Sequence, residues 1–303
     1  MKLGMNLIGG ATVAEVVADA QRAEREGFAS FSMANIFGLD AINALTVAGY
    51  ETSTIGLVTA VVPTFPRHPA AIAQQALTAA SASGGRFTLG IGLSHKVVIE
   101  GMYGMSFDRP ARHMREYLKV LLPLLNKEPV QVTGEQFTFR GGLRVPGDPV
   151  PCAIAAMGPA MLRLAGEQCS GTILWMTTAK AISEHIVPHL REGAQRSGRS
   201  DEPQVIVSLP IALTNDIDGA REAAAREYQN YGNLPSYRSM LDASGLSGAA
   251  DAAIIGNEAE LERSLRALAE AGTTLFHASC FPADDGATER TREFLASLAK
   301  RWN

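Results

Sequence analysis

The feature that most constrains this chain is an alternation of strand and helix that recurs eight times. Short apolar runs at residues 2–8, 28–33, 55–61, 86–92, 152–156, 172–176, 204–213 and 274–279 alternate with helical stretches. No hairpin signal joins consecutive runs, so the strands are expected to lie parallel with helices outside them. The first pair shows the pattern. Gly9-Gly10 ends the strand, Thr12 is placed to cap a helix, Val13, Val16, Val17 and Ala20 share its inner face, and Gly27 stops it. Eight such pairs predict a (β/α)8 TIM barrel, with a doubly wound open sheet as the alternative because pattern alone does not show closure. At 303 residues the chain exceeds the ~250 a barrel needs. The reading is one domain over 1–303 with insertions near 97–108, 129–147 and 231–250. The second of these alternates around Gly134 and Gly141-Gly142 as a hairpin does, and the third reads as an insertion or mobile lid.

The same residues exclude whole classes. The 27 Lys+Arg against 31 Asp+Glu form no long basic run, which argues against nucleic acid and anionic membranes as partners. No apolar stretch reaches the ~18 residues of a membrane span. Three cysteines, Cys152, Cys169 and Cys280, stand far apart with no CxxC, and no signal-peptide pattern opens the chain. A reduced, cytoplasmic protein is expected.

In a barrel, chemistry gathers on the loops after strand C-termini. After strand three the sequence reads TAVVPTFPRHPAAIAQQ, stiffened by prolines. After strand four it reads SGGRFTLGIGLSHK, where Gly90 and Gly92 allow backbone to approach a ligand and His95 follows the strand end. GIGLSH is no dinucleotide fingerprint, since the third glycine, the helix and the distal acid are missing. Ser94 lacks a nucleophile elbow. His185 and His189 have metal-ligand spacing, but Pro188 intervenes and a surface pair is expected, so no metal site is read. His68 reads as tying the rigid loop to its helix, His113 and His277 have no neighbours that suggest chemistry, and Cys169 reads as core.

The stretch TAVVPTFPRHPAAIAQQALTAASASGGRFTLGIG, residues 59–92, resembles the signature of the luciferase-like monooxygenase superfamily. Its continuation GLSHKVVIEGMYGMSFDRPARHMREYL is most similar to the branch of oxidoreductases that use the deazaflavin coenzyme F420. Looser similarity covers most of the chain, including AAMGPAMLRLAGEQCSGTIL and DAAIIGNEAELERSLRALAEAGTTLFHASC. The resemblance implies a TIM barrel with a flavin-like ring in its mouth, a small-molecule substrate and a homodimer.

It also implies site residues. A non-proline cis peptide at the end of strand three matches Ala60-Val61, where the bulge backs the ring. The helix opening at Met157, Gly158, Pro159, Ala160 and Met161 would offer N–H groups to the coenzyme phosphate, although Gly-Pro is also an ordinary helix start. Gly92 and Ser94 fall beside the ring, and Thr177 could bond the coenzyme or, with Thr178, cap the next helix. Related sugar-phosphate dehydrogenases carry an Asp-His pair where this chain has Asn35 and Ile36. Archaeal reductases carry an acid where it has Asn6. Those two substrates are therefore in doubt, while Asn6 and Asn35 keep the capacity to hydrogen-bond ring or substrate. His95 stands where the sugar-phosphate enzymes carry a catalytic Glu and is the candidate proton carrier, against a reading in which it only bonds ring or loop. Phe65, Met102 and Trp175 are expected to line an apolar mouth. Three functions follow: an F420-dependent oxidoreductase with His95 as proton donor, an FMN-dependent monooxygenase on the same fold, or a non-catalytic F420- or flavin-binding protein.

Overall fold

The computed structural model describes residues 1–7 and 12–302, so the expected strand end and turn at Ile8, Gly9 and Gly10 lie outside the described residues. The strands are β1 (Lys2–Leu7), β2 (Ser30–Met33), β3 (Gly56–Thr59), β4 (Val62–Pro63), β5 (Phe87–Gly92), β6 (Val130–Thr133), β7 (Thr138–Gly141), β8 (Cys152–Ala155), β9 (Gly171–Trp175), β10 (Gln204–Leu213), β11 (Ile254–Gly256) and β12 (Leu275–Cys280). The helices are α1 (Val13–Glu26), α2 (Ala41–Tyr50), α3 (Pro69–Ala82), α4 (Lys96–Gly101), α5 (Pro110–Leu125), α6 (Pro159–Gln168), α7 (Ala179–Ala181), α8 (Val187–Arg196), α9 (Ile217–Tyr228), α10 (Pro235–Ser244), α11 (Glu258–Glu270) and α12 (Ala287–Trp302).

The ladder runs β11-β10-β12-β1-β2-β3-β5-β8-β9, and β9 pairs back onto β10. The fold is a (β/α)8 barrel. Its eight strands are those read from the sequence, with strand three broken into β3 and β4 by the residues between them, and with β11 added against β10. The expected hairpin is present as β6 and β7, antiparallel, closed by the Gly134 N–H on the Phe137 carbonyl at 2.9 Å. Among the described residues no helix is long and apolar enough to cross a membrane.

Two compact units make up the chain. The first comprises Met1–Leu7, Arg25–Phe31 and Ala156–Asn303, and the second Ile8–Glu24 and Ser32–Ala155. In the first, Leu3, Phe31, Ile206, Phe276 and Leu295 are buried; in the second, Leu57, Leu89, Ile91, Tyr117 and Leu121 are.

Local chemistry explains most elements. Thr12 caps α1 as expected, its hydroxyl accepting from Glu15 N at 3.3 Å while the Glu15 carboxylate accepts from Thr12 N at 2.7 Å. Arg86 of the SGGR motif is a staple. It donates to the carbonyls of Gly49, Thr52 and Ile55 at 2.7, 2.8 and 2.6 Å, closing the C-terminus of α2 onto the start of β3.

Three features depart from expectation. Helix α2 has no counterpart in the sequence pattern. Residues 231–250, read as an insertion or mobile lid, hold regular structure that the pattern did not show: a 3-10 turn at Gln229–Asn233, helix α10 and a second turn at Ala249–Ala252. The helix from Ala179 is interrupted by a π turn at Ile182–Ile186 before α8 continues it.

Candidate functional site

In the second unit, the strand ends of β3 and β5 interlock. Thr59 Oγ1 accepts from the Gly90 N–H at 2.8 Å and donates to the Gly90 carbonyl at 2.9 Å, locking the strands side by side. Beyond it the Ala60-Val61 peptide is cis, as expected. Ala60 N–H donates to Met33 O, and Thr64 N–H to Gly92 O, both at 2.9 Å. A Cβ on Gly92 would lie 2.7 Å from Val61 Cγ2 and 3.3 Å from Ala155 Cβ. Gly92 is therefore glycine to admit the Val61 side chain.

Past β5 the chain turns sharply. Ser94 takes the left-handed conformation at φ 61, a costly geometry for a side chain with Cβ and one that concentrates at functional turns. It delivers His95 to the N-terminus of α4. The His95 imidazole does not cap that helix, and burial lowers its pKa below the ordinary value, leaving a neutral ring at pH 7.

On the β2 side, Asn35 Oδ1 accepts from Ala41 N at 3.0 Å and from Arg67 Nη2 at 3.5 Å. Arg67 also forms an ion pair with Asp40, which caps α2 through Asn43 N. Asn35 thus orders its own loop with its carbonyl oxygen. Arg67 Nη1 is buried and, among the described residues, has no hydrogen-bond partner. Sequence reasoning passed over Arg67, although it sits inside the quoted PRHP motif. His68 caps α3 by accepting from Ala70 N at 3.2 Å, the structural task read for it.

A cavity of about 700 Å³ opens in this unit between Phe65, Arg109, Arg112, His113, Gln136 and Phe137; of the residues expected at the site or its mouth, Phe65 lines it and the others do not. His113, read as having no telling neighbours, is buried there. Its ring stacks on Phe65 at 3.9 Å and bonds Thr64 Oγ1 at 3.0 Å and Gln136 Oε1 at 2.8 Å. Both nitrogens are engaged and burial lowers the pKa, so His113 is a neutral structural link. Phe65 belongs to this cavity wall.

In the first unit the expected residues are braced by polar partners. Asn6 Nδ2 donates to Ser279 Oγ at 2.8 Å across neighbouring β1 and β12. One layer below, fully buried His277 bonds Ser30 Oγ through Nε2 at 2.7 Å, and burial drops its pKa to about 3. A Cβ on Gly4 would meet His277 Cδ2 and Ser30 Oγ at 2.5 Å, so that position admits only glycine.

The opening of α6 is exposed at Gly158, Pro159 and Ala160, with Met157 and Met161 half-buried, and a Cβ on Gly158 would meet nothing within 4 Å. Two N–H groups expected there are not available. Pro159 has none, and Met161 N–H already donates to Gly158 O at 3.1 Å. Gly158 and Ala160 remain to face an anion. His185 supports this loop from behind, its Nε2 2.8 Å from the Met157 carbonyl, while His189 Nδ1 reaches the His185 carbonyl at 2.8 Å. The two histidines are a buttress rather than a surface pair. The π turn, which shifts the side-chain phase of the helix, is what carries His185. Among the described residues no group of His, Cys, Asp and Glu is arranged to hold a metal ion.

After β9, Met176 is left-handed at φ 54. Thr177 is buried and donates to Trp175 O at 3.2 Å. Thr178 caps α7 and bonds Ser244 Oγ of α10 at 2.8 Å.

Known proteins resemble this chain along its length. The family described as luciferase-like monooxygenase matches residues 2–300. A 5,10-methylenetetrahydromethanopterin reductase of Methanolobus tindarius is 28% identical over 229 residues, 75% of this chain and 69% of that protein. A Mycobacterium tuberculosis protein proposed to be a coenzyme F420-dependent oxidoreductase is 36% identical over 221 residues, 67% of this chain and 62% of that protein. Among solved structures, an F420-dependent secondary alcohol dehydrogenase in complex with an F420-acetone adduct superimposes with a TM-score of 0.83 at 20% identity, over 98% of this chain and 97% of that one.

Proposed function

The chain belongs to the luciferase-like monooxygenase family, and within it we propose that it is an F420-dependent oxidoreductase acting on a small organic substrate. The observation that carries this reading is the left-handed turn at Ser94 that delivers half-buried His95 to the start of α4, on the stretch through which the sequence resembles the F420 branch. Relatives and a structural neighbour named for F420 support it. The residues fit such a coenzyme. Its phosphate suits the open N-terminus of α6 at Gly158 and Ala160, and the unpartnered buried Arg67 Nη1 is a donor suited to an anionic or carbonyl acceptor.

When bound, F420 supplies a two-electron carrier that exchanges hydride at C5 of its deazaflavin ring. The chain supplies position and a proton path. Ala60 and Val61 form a wall for the ring, with Gly92 and Ser94 beside it. Asn35 and Asn6 offer amide groups, and Met157 to Met161 with Thr177 hold the polar tail. His95, neutral at pH 7, takes the proton from a substrate hydroxyl, or returns it after protonation in the reverse direction. Residues 1–303 act as one catalytic domain, and a cytoplasmic homodimer completes the proposal.

The test is F420-linked turnover across a panel of small alcohols and ketones. His95→Gln is expected to lower kcat by about 10²–10⁴ with F420 affinity unchanged. Undiminished kcat would remove His95 from the mechanism, and tight F420 binding without turnover on any substrate would favour a non-catalytic carrier.

A further inference from the structure

The cavity beside α5 is built wholly within the second unit, and none of the residues proposed to hold the coenzyme lines it. Its volume of about 700 Å³ falls among those of small-molecule sites. One wall is aromatic. Phe65 stacks on His113 at 3.9 Å and on Phe107 at 5.2 Å, and Phe137 meets the His113 ring edge-on at 5.3 Å. Phe65 and Phe137 are half-buried, so each keeps ring surface open to the cavity. A planar ring fits such a wall by stacking or edge contact.

The polar groups of the wall divide into engaged and free. Gln136 Oε1 accepts from His113 Nδ1 at 2.8 Å, so His113 Nε2 accepts from Thr64 Oγ1 at 3.0 Å, and burial keeps the ring neutral. Arg112 pairs with Glu135 and reaches Glu116 at 3.5 Å. Among the described residues, the Gln136 side-chain NH2, the Asp108 carboxylate and the Arg109 guanidinium have no partner. Arg109 is also held in an unfavourable backbone conformation. It stands at the N-cap of α5, left-handed at φ 51 and ψ 53, and its side chain makes no capping bond. Strain of this kind concentrates at functional positions.

Charge then selects the ligand. The lining sets Asp108 and Glu135 against Arg109 and Arg112, so the two signs balance. Because Arg112 and Glu135 hold each other, one cation and one anion are left over. A purely anionic ligand would face Asp108, and a purely cationic one would face Arg109. A ligand that carries both signs satisfies each of them.

We infer that this cavity is a binding site additional to the coenzyme's, and that it takes a small aromatic zwitterion: a ring bearing one carboxylate and one ammonium group, of which a free aromatic amino acid is the simplest. Arg109 and the Gln136 NH2 take the carboxylate, Asp108 takes the ammonium, and Phe65 and Phe137 take the ring.

Isothermal titration calorimetry of the whole chain with four probes tests this. L-Phenylalanine is expected to bind saturably. 3-Phenylpropionate lacks the ammonium, 2-phenylethylamine the carboxylate and L-alanine the ring, and each should bind at least about tenfold more weakly. Two variants at exposed positions each remove one charge: Asp108→Asn, and Arg109→Asn, in which asparagine tolerates the left-handed backbone. Arg109→Asn should weaken L-phenylalanine about tenfold and leave 2-phenylethylamine no weaker. Asp108→Asn should weaken L-phenylalanine by a similar factor and leave 3-phenylpropionate no weaker. The absence of saturable L-phenylalanine binding overturns the inference, as does any of the other three probes binding as tightly, or L-phenylalanine affinity unchanged in either variant. F420 binding is followed separately by the coenzyme's own fluorescence and is expected to be the same in both variants. Its loss there would place the coenzyme in this cavity and overturn the inference. A wild-type chain that binds L-phenylalanine but not F420 breaks the redox reading and leaves this site standing.

Discussion

The two units brace their own candidate residues by different means. In the unit of residues 8–24 and 32–155, Val61 fits into the space that Gly92 leaves open, and Thr59 clasps Gly90. Support at Gly92 is steric and tolerates no added atom, while the Thr59–Gly90 hydrogen bonds hold the neighbouring strands. In the other unit, Asn6 leans on Ser279, His277 on Ser30, and the Met157 carbonyl on His185, through hydrogen bonds of 2.7 to 2.8 Å. Support there is polar, and it is vulnerable to losing a partner or gaining a proton.

Acid is the largest lever on that contrast, because it acts on the polar unit through His277. Its pKa is about 3 in the fold against an ordinary 6.5. Above pH 6.5 the ring is neutral in both the folded and the unfolded chain. As pH falls from 6.5 toward 3 only the unfolded chain takes up the proton, so stability declines by up to roughly 4–5 kcal/mol. His95 and His113, also lowered, act in the same direction. Urea midpoints measured across that range should fall for the wild type and flatten in His277→Gln; equal slopes would break the account of the polar unit.

Next comes Gly92→Ala, whose methyl must displace Val61. Overpacking of this kind costs about 1–3 kcal/mol, and the expected companion is loss of F420 affinity, read by fluorescence titration. A stable variant with intact affinity would show that the bulge is not the ring wall. His185→Ala should cost about 1 kcal/mol and weaken F420 severalfold, with His185→Gln recovering part of both if a hydrogen bond to Met157 is what matters. Smallest is Ser279→Ala, expected to cost about 0.5 kcal/mol while altering KM more than kcat, since it frees the Asn6 amide to turn.

The barrel was readable because its strands are covered on both faces and appear as continuous apolar runs between helical stretches. Helix α2 escaped for the same physical reason. Its AINALTVAGY is buried at Ala41, Ile42, Ala44, Leu45, Ala48 and Gly49, which leaves little polar face to mark a helical period. Of the site, what lies along one local stretch was legible: the cis bulge, the His68 cap, the α6 opening and the position of His95. What depends on distant partners was not. Asn6 and Ser279 stand 273 residues apart and His185 and Met157 28 apart. A π turn that re-aims one histidine leaves no spacing signature, and the reason Gly92 is glycine lies in Val61, in the break between β3 and β4.

The central claim is that these parts hold a deazaflavin coenzyme. Equilibrium titration of the purified chain with F420 and, separately, with FMN tests it most directly. Saturable F420 binding in the micromolar range or tighter, lost in Gly92→Ala and with FMN weaker by an order of magnitude or more, is the predicted result. Saturable FMN binding with none of F420 would contradict it.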